Sequence, residues 1–136
     1  MADRRGTPLA ALLTAANVNE GTVFARALDA IAPIHQPRGH PGRPRRRPAK
    51  VHADKAYDSR HCRVEARRRH ITPRIARRKI ESSARLGRYR WVVERDFAWL
   101  YRNRRLLMRY ERDPDLHQAF LDLGCALICW QFLDHR

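Results

Sequence analysis

Acidic residues are scarce in this chain: 14 Asp and Glu stand against 29 Lys and Arg, giving a formal charge of +15 and a pI near 11.3. Lysine is nearly missing as well, with Lys50, Lys55 and Lys79 the only three, so the basic character is almost all arginine. Cysteine occurs three times, an odd number without metal-finger spacing, which argues against a disulfide framework or a zinc finger. Cys125 and Cys129, four positions apart, read as a reduced core pair rather than a metal pair, and point to the cytoplasm. No apolar run is long enough for a membrane: Leu123–Trp130 is bracketed by Asp122 and Gln131 and falls short of the ~20 residues a span needs. Met1–Gly6 is polar and precedes no cleavage pattern, and no lipidation signal or terminal basic amphipathic segment is visible. Membrane association is therefore not expected. An aromatic RNA-stacking motif is also absent, which sets an RNA-binding reading well behind the others.

What is present is arginine, spread from Arg38 to Arg112 rather than confined to a tail. Its natural partner is a polyanion, and double-stranded DNA is the first choice. The 136 residues suffice for one domain with a modest core. The stretch Leu86–Leu107 reads as one helix of about six turns. Leu86, Val93, Phe97, Leu100 and Leu107 recur at helical spacing and predict its buried face. Arg88, Arg95, Arg102 and Arg109 are spaced by seven and predict a cationic rail. Within Arg85–Arg109 eight arginines accompany only two acids, Glu94 and Asp96. A helix acid beside guanidinium groups is ordinarily a solvated ion pair. It is also what a phosphodiester-cutting site needs, with arginines on phosphates and the acid on a metal ion.

The rest of the chain supplies the frame. Thr7–Thr14 is apolar and of strand length. Asn19 or Thr22 caps a helix over Val23–Ile31, with Phe24, Leu28 and Ile31 inward. Residues 33–48 hold five prolines, two glycines and five arginines and predict a basic loop. Arg43, Arg45, Arg46 and Arg47 make it a strap for a DNA backbone. Its Gly42-Arg43-Pro44 core is similar to that of the minor-groove AT-hook, although contact with phosphates alone is the preferred reading. Ala49–Ala53 alternates as a half-buried strand, with Asp54 at its carboxyl end, where α/β sheets favour ligands. Asp58 or Ser59 caps a helix over Arg60–Arg69, and His70–Ile75 predicts an edge strand. Residues 114–133 predict a last helix whose core stripe is Leu116, Phe120, Leu123, Leu127 and Trp130. The class is α/β.

Ala53-Asp54-Lys55-Ala56-Tyr57-Asp58, Arg90-Trp91-Val92-Val93-Glu94-Arg95, Trp99-Leu100 and Arg104-Arg105-Leu106 together resemble bacterial insertion-sequence transposases of the DDE type, in the insertion-sequence-five group. Gly6-Thr7-Pro8-Leu9, Ala16-Asn17 and Ala126–Trp130 extend the resemblance over nearly the whole chain. It implies an RNase H-like mixed sheet with flanking helices. It also implies three acids that cut and join DNA ends with Mg or Mn. By this match Asp54 is the second acid, Glu94 the third and metal-binding with it, and Arg90 the arginine of the family's Tyr–Arg–Glu–Lys signature. The signature's tyrosine falls at Gly87 and its lysine at Tyr101, so both are replaced. The first acid lies upstream in the family, and Asp3 is the sole nearby substitute. The expectation is thus a single, N-terminally incomplete catalytic domain over 1–136. It is expected to act on transposon ends in the bacterial nucleoid, as a homo-oligomer, with an upstream transposase segment. The alternative is an inactive DNA-binding remnant that inhibits the full-length enzyme.

Overall fold

The computed structural model describes residues 1–35, 42–77 and 83–134, without the side chains of 83–90 and 134. The chain divides into two compact units. The first joins Met1–Ala15 to Gly87–Arg136, and the second is Ala16–Leu86.

The second unit is a small α/β body. Helix α1 (Glu20–Asp29) starts where Asn19 Oδ1 accepts the Gly21 amide at 2.8 Å. That bond satisfies one of the donors a helix start leaves open. Its inner residues Phe24 and Leu28 are buried, as is Ile31 beyond its end. Strand β1 (Lys50–Ala53) runs parallel to β2 (Thr72–Ile75), with Val51 opposite Pro73 and Ala53 opposite Ile75. Pro73 lacks a donor, which suits the small two-stranded sheet. A 3₁₀ turn (Lys55–Tyr57) and helix α2 (Arg60–Arg68) form the crossover that a parallel pair requires.

Ser59, not Asp58, caps α2: its Oγ accepts the Cys62 amide at 3.1 Å, while Asp58 takes Arg63 Nη2 at 2.6 Å. The long arginine reaches Asp58 from one turn into the helix and also donates to the Ile75 carbonyl. Helix α2 ends in a Schellman arrangement. His70 adopts φ +58°, its amide bonds to the Arg67 carbonyl, and the Ile71 amide bonds to that of Ala66. Arg69 ties the two helices together, donating to both Asp29 oxygens at 2.8 and 2.6 Å and to Glu65 at 2.6 Å. The Arg69 bonds hold both carboxyls below their usual range. The basic loop is anchored by a bridge in which Ile34 and Arg45 exchange backbone bonds of 2.8 and 2.9 Å. Residues 36–41 of that loop, and 78–82 of the basic stretch before α3, lie outside the described residues.

In the first unit the sequence and the structure part. Helix α3 spans Ser83–Leu100, a turn covers 101–103, and α4 (Arg104–Leu107) follows. One helix over 86–107 is therefore not what forms. Backbone bonds from Arg102 to Trp99 and from Asn103 to Leu100 tighten the last turn, and Asn103 then occupies the cap position of α4. The predicted buried face also moves. Val92 and Leu100 are buried, whereas Val93, Phe97 and Leu107 are exposed and Leu86 lies outside the described side chains. The inward side of α3 instead carries Val92, Asp96, Trp99 and Leu100, packed through Trp99 edge-on to Phe132 at 5.7 Å.

Helix α5 (Pro114–Asp134) is rotated likewise. Leu116, Leu123, Leu127 and Trp130 of the expected core stripe are exposed, and Phe120 is half-buried. Its inward residues are His117, Gly124 and Ile128. Gly124 decides the rotation, since a Cβ there would stand 2.8 Å from Leu106 Cδ1 and 3.1 Å from Leu100 Cδ2. Gln118 adds to it, donating to the Ala11 carbonyl at 3.0 Å and accepting the Leu13 amide at 2.8 Å. That amide pairing ties residues 11–13 to α5. No strand forms over 7–14; Pro8 makes only an isolated bridge with Ala2. By length and composition alone the 20 residues Pro114–Leu133 are apolar enough to cross a membrane, a longer stretch than the Leu123–Trp130 run read from the sequence, and little of it is buried.

Candidate functional site

Asp54 stands at the carboxyl end of β1, where the chain leaves the sheet for the 3₁₀ turn. Its exposed carboxylate caps that turn, with Oδ1 accepting the Lys55 amide at 2.5 Å. The Lys55 amide holds that oxygen in place. Tyr57, two residues into the turn, packs its ring 5.6 Å from Phe24 and fixes the turn to α1. Burial, then Glu20, push the Tyr57 phenol above its ordinary pKa, so it stays neutral beside the acid. The βαβ unit thus places Asp54 at a strand end, the position its sequence context implies.

Glu94 lies in the middle of α3 in the first unit and is exposed. The two acids therefore belong to different units. Arg90, the third candidate catalytic residue, is on the α3 backbone, and its side chain lies outside the described residues, as does that of Arg88. Arg95 is held tightly: its guanidinium carbon sits 4.5 Å from the Trp91 ring and 4.7 Å from the Trp99 ring. It also donates to the Arg5 carbonyl. Arg102 is exposed in the turn after α3, so the helical rail with Arg88 and Arg95 is broken at 101. Arg109 is exposed and bonds through Nε to the Glu111 carbonyl at 2.9 Å. In the second unit Arg43, Arg45, Arg46 and Arg47 are all exposed.

Asp3 is committed to its own turn. Its Oδ1 accepts the amides of Arg5 and Thr7, each at 2.8 Å. Gly6 closes the turn at φ +84°, in a place where a Cβ would meet Arg95 Nη2 at 2.7 Å and Asp96 Oδ1 at 2.8 Å. Sequence reasoning passed over Asp96, whose Oδ1 is enclosed without a hydrogen-bond partner. Burial raises its carboxyl to about 6, against the pull of the chain's terminal ammonium and Arg95, and Asp3 adds to the rise. The signal was Gly6, since a glycine in the left-handed region marks a close approach. A buried acid, Glu111, lies 2.5 Å from Arg105 and 3.6 Å from His117 Nδ1. Burial pushes its pKa up, but Arg105 and backbone amides outweigh that and bring it below the ordinary value.

For a divalent cation the donor chemistry is suitable. Asp54 and Glu94 are exposed carboxylates, the hard oxygen ligands that Mg and Mn take. Among the described residues no group of three or more His, Cys, Asp or Glu is gathered as a metal site. Comparison with known proteins gives two matches. The transposase DDE domain family matches residues 1–130. A putative transposase for insertion sequence element IS402 from Burkholderia cepacia is 54% identical over 131 residues, which is 96% of this chain and 61% of that protein. The chain thus spans about three-fifths of the length of that relative. No solved structure matches the chain.

Proposed function

Because the chain belongs to the transposase DDE domain family, we propose that it binds double-stranded DNA at transposon ends and contributes Asp54 and Glu94 to metal-dependent strand cleavage and transfer. The observation that carries this reading is the match over residues 1–130, which includes both acid-bearing stretches. The mixed α/β second unit, with Asp54 at a parallel strand end, is consistent with an RNase H-like fold.

In this reading Asp54 and Glu94 would hold the Mg or Mn ion, which would supply Lewis acidity toward a phosphodiester, and Arg90 would serve a phosphate. Asp54 is oriented by the Lys55 amide. Arg43, Arg45, Arg46 and Arg47 track the DNA backbone by charge. Arg88, Arg102 and Arg109 do so from the other unit, and Arg95 adds its charge there while bracing Trp91 and Trp99. The first acid of the family's three is assigned to an upstream transposase segment, because Asp3 already serves its own turn. The working form is a homo-oligomer on the DNA of the nucleoid. One second reading stands beside it. It is a non-catalytic DNA-binding protein that inhibits the full-length transposase.

The test is DNA binding across a salt series, followed by a cleavage assay with Mg, with and without the upstream segment. Binding should weaken with a log–log slope of about −0.9 per phosphate contacted. Asp54→Asn and Glu94→Gln should each abolish cleavage in the complemented reaction and leave binding in place. Salt-independent binding would overturn the DNA reading. Cleavage that survives Asp54→Asn would overturn the catalytic assignment, and no cleavage in any mixture would favour the inhibitor.

A further inference from the structure

The face of α3 that carries Glu94 also carries two aromatic rings left open to water. Glu94, Phe97 and Tyr101 follow at steps of three and four, the spacing that sets side chains in one row along a helix. Tyr101 still bonds its amide to the Phe97 carbonyl at 2.9 Å, so the row continues into the turn that ends α3. The Phe97 and Tyr101 ring centroids are 6.0 Å apart with 26° between their planes. Their exposures are 50% and 49%, so this is a stacked pair on the surface and not part of a core. From Phe97 to Tyr110 the sequence has four arginines and no acid. Arg102 and Arg104 are exposed, whereas Arg105 pairs with Glu111 and Arg109 bonds to the backbone. Arg104 lies 6.0 Å from the exposed Tyr110 ring, so a third aromatic accompanies the same cationic turn.

Aromatic rings interleaved with exposed arginines suit an unpaired nucleic-acid strand. Each base offers a π-face to a ring and each phosphate a charge to a guanidinium. An apolar helix or strand of a protein partner would leave the arginines of the turn without counter-charge. We propose that Phe97 and Tyr101 form a stacking platform for an unpaired base, with Arg102 and Arg104 holding the adjoining phosphates. The platform rests on the DNA-binding reading above and sharpens it. The protein would favour DNA whose end is opened over DNA that is fully paired. Tyr101 occupies the place where the resemblance expects a lysine, so stacking takes over a position from charge.

The experiment compares binding of the full chain to a blunt duplex and to the same duplex with a short unpaired end carrying 2-aminopurine. Wild type should bind the opened end about tenfold more tightly than the blunt one and quench the probe. Phe97→Leu with Tyr101→Leu should abolish that preference and the quenching while leaving blunt-duplex binding within about twofold. Tyr101→Trp, which keeps a flat ring, should retain both. Equal affinity of wild type for the two DNAs overturns the platform and leaves the DNA reading standing, as does a preference that survives the double substitution. Failure of wild type to bind either DNA overturns the DNA reading, and the platform falls with it.

Discussion

In the second unit Phe24, Leu28, Ile31, Cys62, Ala66, Ile71, Ile75 and Ala76 are all buried; in the first, Val92, Leu100 and Ile128 are, and they share the interior with Glu111 and His117. The second unit closes an apolar core with α1 and α2 on a two-stranded sheet and holds its charges at the edge through Arg69. The first unit turns polar and small residues inward, among them Asp96, Gln118 and Gly124. It leaves Leu123 57% and Trp130 69% exposed. The difference teaches what each unit's stability rests on. Hydrophobic burial, worth ~25 cal/mol per Å², dominates the second. Close backbone approach, hydrogen bonds and the Trp91–Arg95–Trp99 stack order the first.

The contrast breaks most directly by truncating one large side chain in each unit. Phe24→Ala, at a position 2% exposed, should cost about 3–5 kcal/mol. Leu123→Ala should cost within ~0.5 kcal/mol, as surface changes do. Denaturant titrations of the two variants measure both. A large loss from Leu123→Ala would mean that another chain covers the α5 stripe in solution, and the two units would then resemble each other.

A smaller effect probes the polar interior. Asp96 has its carboxyl raised to about 6 from an ordinary value of 3.8, so between these pH values the folded state keeps a proton that the unfolded chain releases. Its contribution therefore lowers stability as pH rises from about 4 to 6, and the penalty is complete above 6. Partial exposure limits it to about 1 kcal/mol. Asp96→Asn should flatten that part of the pH–stability curve and gain roughly that amount at pH 7. An unchanged slope in the variant would show that this oxygen is hydrated.

The smallest effect sharpens the account of the second unit. His70 holds φ +58° at the end of α2, where glycine is the favoured residue. His70→Gly should stabilise the protein by about 0.5 kcal/mol, the relief of strain set against glycine's greater freedom when unfolded. A loss of stability would mean that the imidazole makes contacts worth more than the strain.

Local rules made the second unit legible. Asn19 before an amphipathic run, Ser59 before another and the alternation in Lys50–Ala53 each acted over a few residues. α1, α2, β1 and β2 therefore formed within about three residues of their expected bounds. The position of Asp54 at a strand end was legible for the same reason, because it depends only on where β1 stops. Periodicity misled in the first unit because it counts apolar residues and cannot count polar ones that find partners inside. Leu116, Leu123, Leu127 and Trp130 form a flawless stripe on α5, yet Gly124 and Gln118 take the inner side. A glycine admits Leu100 and Leu106 more closely than any side chain would allow, and the amide satisfies backbone groups of residues 11–13. The helix break at 101–103 had a local sign, Asn103 in a capping position, that the seven-residue arginine spacing obscured.

The sequence by itself determined the charge, the family and the local elements. Net charge needs no fold, family membership follows from residue order, and caps and strand alternation act at short range. Only the tertiary structure decided which faces of α3 and α5 turn inward, that Arg95 is clamped between two tryptophans, and that Asp3 and Asp96 meet around Gly6. These depend on contacts between residues as far apart as Gly6 and Arg95 or Ala11 and Gln118, for which one-dimensional spacing carries no signal. A buried polar group is tolerated only where such a distant partner satisfies it, so the inner face is chosen by the assembled pair and not by either segment alone.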